Sequence, residues 1–178
     1  MQNIEAIRRN ADCLFSHAQV QSALDSMAES ITSDLADSNP LMLCIMNGGV
    51  IAAGHLATRL GIIMEMDYLQ ATRYCNTTEG HELKWLHKPH ISLFQRTVLL
   101  VDDILDEGIT LNAVAEYCFQ EGASTVKSAV LVKKKHQRNI GFEADYVGLE
   151  VEDRYVFGYG MDYKGYLRNA AGIFAVKE

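Results

Sequence analysis

Apolar and polar positions recur along this chain with two periods, one helical and one of strands. From Gln19 to about Ala36, Val20, Leu24, Met27, Ile31 and Leu35 share one helical face, the pattern of an amphipathic packing helix. Ser16 and Gln19 ahead of it form a capping box. Asn39-Pro40 punctuates the chain, and Leu41 to Met46 is then an unbroken apolar run that Asn47-Gly-Gly49 turns into a helix through Val50, Ala53, Leu56 and Leu60. Ile62 to Leu69 alternates in part, as a strand does. Between Ala71 and Glu82 the periodicity is lost in a polar stretch of a length that is usually functional or disordered.

Val98 to Val101 is a second continuous apolar run, the mark of a strand covered on both faces. Leu111, Val114, Ala115, Cys118 and Phe119 follow at helical spacing, with Gly122 as the stop. Val126 to Val132 is a further strand, ended by Lys133-Lys134-Lys135-His136, and short apolar segments rich in aromatics fill Ala144 to Phe174. Strands alternating with helices predict an α/β fold. With two prolines in 178 residues and no repeat or low-complexity stretch, the chain reads as one domain.

Composition narrows the ligands. A formal net charge of -7 offers no basic field to nucleic acid or anionic lipid, so a polyanionic ligand must be held locally. Cys13, Cys44, Cys75 and Cys118 form no CxxC pair and read as reduced thiols of a cytoplasmic protein. No apolar run approaches the roughly 18 residues of a membrane span, and Met1-Gln-Asn-Ile-Glu lacks the regions of a signal peptide. His81, His87 and His90 fit no standard metal-binding spacing.

The candidate chemistry lies where the second apolar run ends. Asp102, Asp103 and Asp106 stand at the carboxyl end of a strand, the edge at which open α/β sheets bind ligands. Asp106-Glu-Gly-Ile-Thr110 leads into a helix N-terminus, where free N–H groups and the positive end of the dipole favour an anion. Gly108 permits close backbone approach and Thr110 adds a hydroxyl. The neighbouring aspartates suit sugar hydroxyls or a hydrated magnesium ion. A ribose-phosphate site fits this turn, and so does a plain acidic N-capped turn.

Asp102-Asp103-Ile-Leu-Asp106-Glu-Gly108-Ile-Thr110 resembles the phosphoribosyl pyrophosphate signature of the type I phosphoribosyltransferases, and the chain from about Leu41 onward is similar in layout to their hypoxanthine-guanine branch. The resemblance implies a mostly parallel twisted sheet flanked by helices, a core of about residues 37–150, and a small base-binding hood from about 1–16 and 150–178. It implies magnesium-dependent transfer of 5-phosphoribosyl to hypoxanthine or guanine by a cytoplasmic homodimer or homotetramer. Xanthine-guanine preference, or a pyrimidine-operon-type RNA-binding regulator on the same fold, are the alternatives.

Residue by residue, the resemblance makes Asp106 the general base. Asp102, Asp103, Glu107, Gly108, Ile109 and Thr110 would hold ribose and 5-phosphate, and Met46, Asn47, Gly48 and Arg168 the pyrophosphate. The Met46-Asn47-Gly48 segment corresponds to one that adopts a cis peptide. Lys133 would donate to the exocyclic oxygen of a 6-oxopurine, with Lys134 and Lys135 in a solvated turn. Tyr155 would stack on the base, Val156 offer its carbonyl and Met161 line the pocket. Asp162, with Asp102 and Asp103, would serve the metal, and Arg73 and Tyr74 a closing lid. Two positions depart from the family: Asn47 where many relatives carry Lys, and Glu107 where many carry a hydroxyl. The Glu107 side chain is therefore expected to face solvent, with only its N–H in the cradle.

Overall fold

The computed structural model describes residues 2–73 and 83–177. Helix α1 (Gln2–Asn10) and strand β1 (Asp12–Ser16) precede α2 (His17–Leu35), then β2 (Leu41–Met46), α3 (Val50–Ala57), β3 (Glu65–Arg73), β4 (Leu83–His87), β5 (Thr97–Leu105), α4 (Ile109–Gln120), β6 (Thr125–Lys135), β7 (Tyr146–Glu152), β8 (Val156–Phe157) and β9 (Gly172–Ala175). The capping box is present: Ser16 Oγ accepts the Gln19 N–H at 3.4 Å while the Ser16 N–H donates to Gln19 Oε1 at 2.9 Å.

Six strands pair in the order β4-β3-β2-β5-β6-β7, all parallel except β4, which runs antiparallel to β3. The two unbroken apolar runs are the neighbours β2 and β5 at its middle. Successive side chains on a strand face opposite sides, so one run feeds two cores. Met42, Cys44, Leu99 and Val101 pack with Val20, Leu24 and Ile31 of α2 and Ala52, Ala53 and Leu56 of α3. Leu41, Leu43, Ile45, Val98 and Leu100 pack with Leu111, Val114 and Cys118 of α4. Most of these side chains are wholly buried, and each such Leu, Ile or Val contributes about 1.5–3 kcal/mol relative to exposure.

Both ends of the chain meet in a second, antiparallel sheet of order β1-β9-β8. It places the residues just before and after β8 over the carboxyl edge of the large sheet. The N-terminal segment, too short and mixed to read from its pattern, supplies α1 and an edge of this sheet. The polar stretch after Ala71 is flanked by the β3–β4 pair; Tyr74 lies outside the described residues, and Arg73 closes β3.

One expectation needs correcting. The lysines after Val132 were expected to begin a solvated turn, with Lys133 alone turned to the site, but β6 runs on through Lys135 and pairs with β7 to its end. Strand alternation then sets their directions. Lys133 pairs with Glu143, Lys135 with Glu150 at 3.0 Å, and Lys134 turns the other way, its side chain 13% exposed.

Candidate active site

Asp102 and Asp103 are among the last residues of β5, at the carboxyl edge of the sheet. Asp103 is 7% exposed, and its N–H donates to Asp102 Oδ1 at 2.9 Å. Burial pushes both carboxyls above the usual range, Asp102 by far the more, and the charge of Asp103 adds to the rise at Asp102. Arg168, whose guanidinium lies 4.0 Å from Asp103, opposes this in both cases. Ionisation of this pair is therefore disfavoured by burial and only partly offset by Arg168, and a divalent cation held by the two carboxylates would favour it.

Beyond β5 the chain turns through Asp106, Glu107 and Gly108 into α4. Gly108 has φ +85°, a left-handed conformation that a side chain would strain. The hollow inside this turn, about 260 Å³, is walled by Asp102, Asp103, Asp106, Glu107, Gly108 and Thr110 among others. Ile109 opens α4 and lines neither this hollow nor the larger pocket beside it. Only its main-chain N–H could serve an anion there. The Glu107 carboxylate, 32% exposed, stands 3.9 Å from Arg138 Nε rather than in open solvent.

The larger pocket, about 390 Å³, gathers residues from six separate stretches of the sequence: Met46, Asn47 and Gly48; Ala71; Asp102, Asp103, Asp106 and Thr110; Lys134; Tyr155 and Val156; Met161, Asp162 and Arg168. The Met46–Asn47 peptide is cis. The Gly48 carbonyl lies where a Cβ on Gly160 would stand, so the pyrophosphate-loop candidate and the Gly158–Met161 turn touch through backbone. Arg168 donates to the Gly160 carbonyl at 2.5 Å and pairs with Asp162 at 2.6 Å. Tyr155 is 53% exposed, its ring edge-on to Tyr163 at 5.3 Å.

Lys133, proposed for this pocket from its position, is outside it, and Lys134 takes the place. Lys134 Nζ donates to Asp106 Oδ2 at 2.9 Å. Asp106 Oδ1 meets His136 Nε2 at 2.6 Å, and Arg138 stands 3.7 Å away. Burial alone would raise the Asp106 carboxyl; the hydrogen bonds from Lys134 and His136 outweigh it and hold the group below the usual carboxylate range. Lys134, His136, Arg138 and Asp153 are the residues that sequence reasoning missed around Asp106. For Lys134 the available signal was strand periodicity carried two residues past Val132.

Two acidic groups could take a cation. Asp106, His136 and Asp153 each bring a donor atom within 4.8 Å of the others, but Lys134 and Arg138 already occupy those carboxylates, at 2.9 and 2.7 Å. Asp102, Asp103 and Asp162 also present carboxylate oxygens to the larger pocket, the donors that magnesium takes, and here Arg168 is the paired cation, 2.6 Å from Asp162 and 4.0 Å from Asp103. Wider grooves of about 680 and 700 Å³ run along α2, yet neither collects residues from the carboxyl edge of the sheet.

Comparison with known proteins agrees with this geometry. The phosphoribosyl transferase domain profile matches residues 10–164. The hypoxanthine-guanine phosphoribosyltransferase of Bacillus subtilis is 30% identical over 165 residues, 92% of each chain, and that of Streptococcus thermophilus is 31% identical over 93% of this chain and 92% of its own. A solved hypoxanthine-guanine phosphoribosyltransferase from Bacillus anthracis superposes with a TM-score of 0.88 at 27% identity, covering 93% of this chain and 98% of that one. A Staphylococcus aureus hypoxanthine phosphoribosyltransferase, at 24% identity, shares the fold with a TM-score of 0.90 over 97% and 95% of the two chains. With the acidic strand end, the glycine turn into α4 and the whole-length relatives in agreement, this chain belongs to the phosphoribosyl transferase family, in its hypoxanthine-guanine branch.

Proposed function

We propose that this protein transfers the 5-phosphoribosyl group of phosphoribosyl pyrophosphate to hypoxanthine or guanine, giving inosine or guanosine monophosphate and pyrophosphate, a reaction of purine salvage. The observation that carries the proposal is the meeting of a phosphate-sized turn, the Asp102–Asp103 carboxylate pair and an aromatic together with a lysine in adjoining hollows.

The N–H groups at the start of α4 and the Thr110 hydroxyl take the 5-phosphate, and Asp102 and Asp103 accept from the ribose hydroxyls. Asn47, Gly48 and Arg168 face the pyrophosphate. Tyr155 stacks on the purine, Met161 closes the pocket below, and Val156 offers its carbonyl to the base edge. Lys134 donates to the oxygen at position 6; adenine would present a donor to that donor and is disfavoured. Asp106, ionised at neutral pH, receives the N7 proton, a role worth on the order of 10²- to 10⁴-fold. Magnesium fits the oxygens of Asp102, Asp103 and Asp162; when bound it would screen the charge of the departing pyrophosphate.

The same proposal makes the enzyme a homodimer or homotetramer of the cytoplasm. In support, an apolar groove of about 400 Å³ between α3 and β3 is bordered by the exposed Val50, Met66 and Tyr68, and among the described residues Cys13, Cys44 and Cys118 are free thiols. No described helix is long and apolar enough to cross a membrane.

Incubation with phosphoribosyl pyrophosphate, magnesium and each of adenine, hypoxanthine, guanine, xanthine and uracil tests the activity. Nucleotide should form with hypoxanthine and guanine and fail with adenine and uracil. The xanthine rate separates the two oxopurine preferences, since Lys134 sees the same oxygen in all three. Formation of nucleotide from adenine alone would refute the proposal.

A further inference from the structure

We propose that His136 is a positioning residue for Asp106, held in one tautomer by the backbone so that it always presents a donor to the carboxylate. The inference rests on Asp106 being the base that takes the purine proton. The imidazole side chain is 6% exposed, and both its nitrogens are engaged. Nδ1 accepts the Arg138 main-chain N–H at 3.1 Å, so that nitrogen carries no proton. A neutral imidazole then has its proton on Nε2, which faces Asp106 Oδ1 at 2.6 Å and donates to it.

The consequence lies in the division of labour over the two oxygens of Asp106. Lys134 holds Oδ2 and His136 holds Oδ1. Only the lysine, on its flexible stem, is placed to leave: when it turns to the purine oxygen, Oδ2 is released toward N7. The ring stays, because Arg138, whose N–H fixes it, is itself pinned by two hydrogen bonds to Asp153 at 2.7 and 3.0 Å. His136 therefore aims the carboxylate throughout the reaction. It does not relay the proton, since protonating Nδ1 would break its bond with the Arg138 N–H. Among the described residues, the permanently charged groups paired with Asp106 are Lys134 from β6 and Arg138 from the loop after it, and these cations in turn pair with Asp153 before β8 and, for Arg138, with Glu107 in the turn.

Two measurements test this on the full-length protein. The ring ¹⁵N shifts of the neutral His136 imidazole should show Nδ1 bare and Nε2 protonated; the opposite tautomer overturns the inference without reference to activity. His136→Met fills the space without a donor, whereas His136→Gln puts an amide N–H where Nε2–H stood. The Met variant should lose on the order of tenfold in kcat, a part of what a positioned base supplies, at unchanged KM for phosphoribosyl pyrophosphate. The acid limb of its rate profile should move to higher pH, and the Gln variant should recover most of both. A Met variant with full kcat, beside an Asp106→Asn variant that has lost its rate, sinks the positioning role and leaves the activity standing. An Asp106→Asn variant as fast as the parent sinks the assignment of the base and the role of His136 with it.

Discussion

Gly48 lies against Asp103 so closely that a methyl group on its Cα would overlap the Asp103 carboxylate, while the same addition at Gly49 would instead strike main chain, 2.5 Å from the Val101 carbonyl and 2.8 Å from that of Ile45. The two glycines are thus kept for different reasons. Gly48→Ala displaces an acid proposed to hold ribose and metal, and should raise KM for phosphoribosyl pyrophosphate by roughly tenfold or more with little change in melting temperature. Gly49→Ala drives β2 and β5 apart and should cost about 3 kcal/mol, the upper end for overpacking, or on the order of 6–12 °C in a chain of this size. Thermal melts beside initial rates separate them; equal losses of stability in both would remove the distinction.

The carboxylate pair should weaken the protein that it serves. Asp102 is pushed up first by burial and then by Asp103, so its ionisation opposes folding. A carboxyl raised in the folded state stabilises most below its unfolded value, and that contribution is lost as pH rises through the folded one. Asp102→Asn keeps the acceptor for the Asp103 N–H and removes the charge. Without divalent cation at pH 8 it should melt about 2–4 °C higher, the equivalent of about 1 kcal/mol at this length, while losing most of its activity. The gain should shrink as pH falls, because the parent protein then protonates Asp102 itself. Melts across pH, with and without magnesium, read both effects.

The large sheet was legible because its central strands are buried on both faces, so Leu41–Met46 and Val98–Val101 appear as unbroken apolar runs. The turn after β5 was legible because a strand end, three aspartates and a glycine stand within seven residues. Lys134 was not, because membership of a strand depends on its neighbours: β6 continues past its apolar stretch by pairing with β5 as far as Lys133 and with β7 to Lys135. One residue of register decides which face a side chain takes. His136 was hidden for a related reason, since its partner Asp106 is thirty residues away and nothing local marks the contact.

That register yields a paired test. Lys134→Met should lower kcat/KM for hypoxanthine by on the order of 10²-fold, as expected for a charged hydrogen bond worth about 1.5–3 kcal/mol, and should narrow the preference over adenine. Lys133→Met removes a pair with Glu143 that lies outside the pocket and is largely solvated on the glutamate side. Exposed pairs of this kind contribute about 0–1 kcal/mol, so rate and base preference should stay within about twofold of the parent. Steady-state rates with both bases decide it, and the reverse ranking of the two variants would restore Lys133 to the site.

The pH profile provides the last check on Asp106. Burial raises this carboxyl, but hydrogen bonds from Lys134 and His136 and their charges bring it below the ordinary range. A general base acts as its anion, so activity is lost as pH falls through its folded pKa. The acid limb of kcat/KM, which reports the free enzyme, should therefore lie below the usual aspartate range, and no loss from this group should appear between neutrality and pH 5. Lys134→Met removes one opposing donor and one charge and leaves the burial in place. Its acid limb should move toward higher pH even as the rate drops. A limb that stays put in the variant would mean that the Lys134–Asp106 bond does not govern the ionisation of the base in the free enzyme, and that purine binding need not break it before the proton moves.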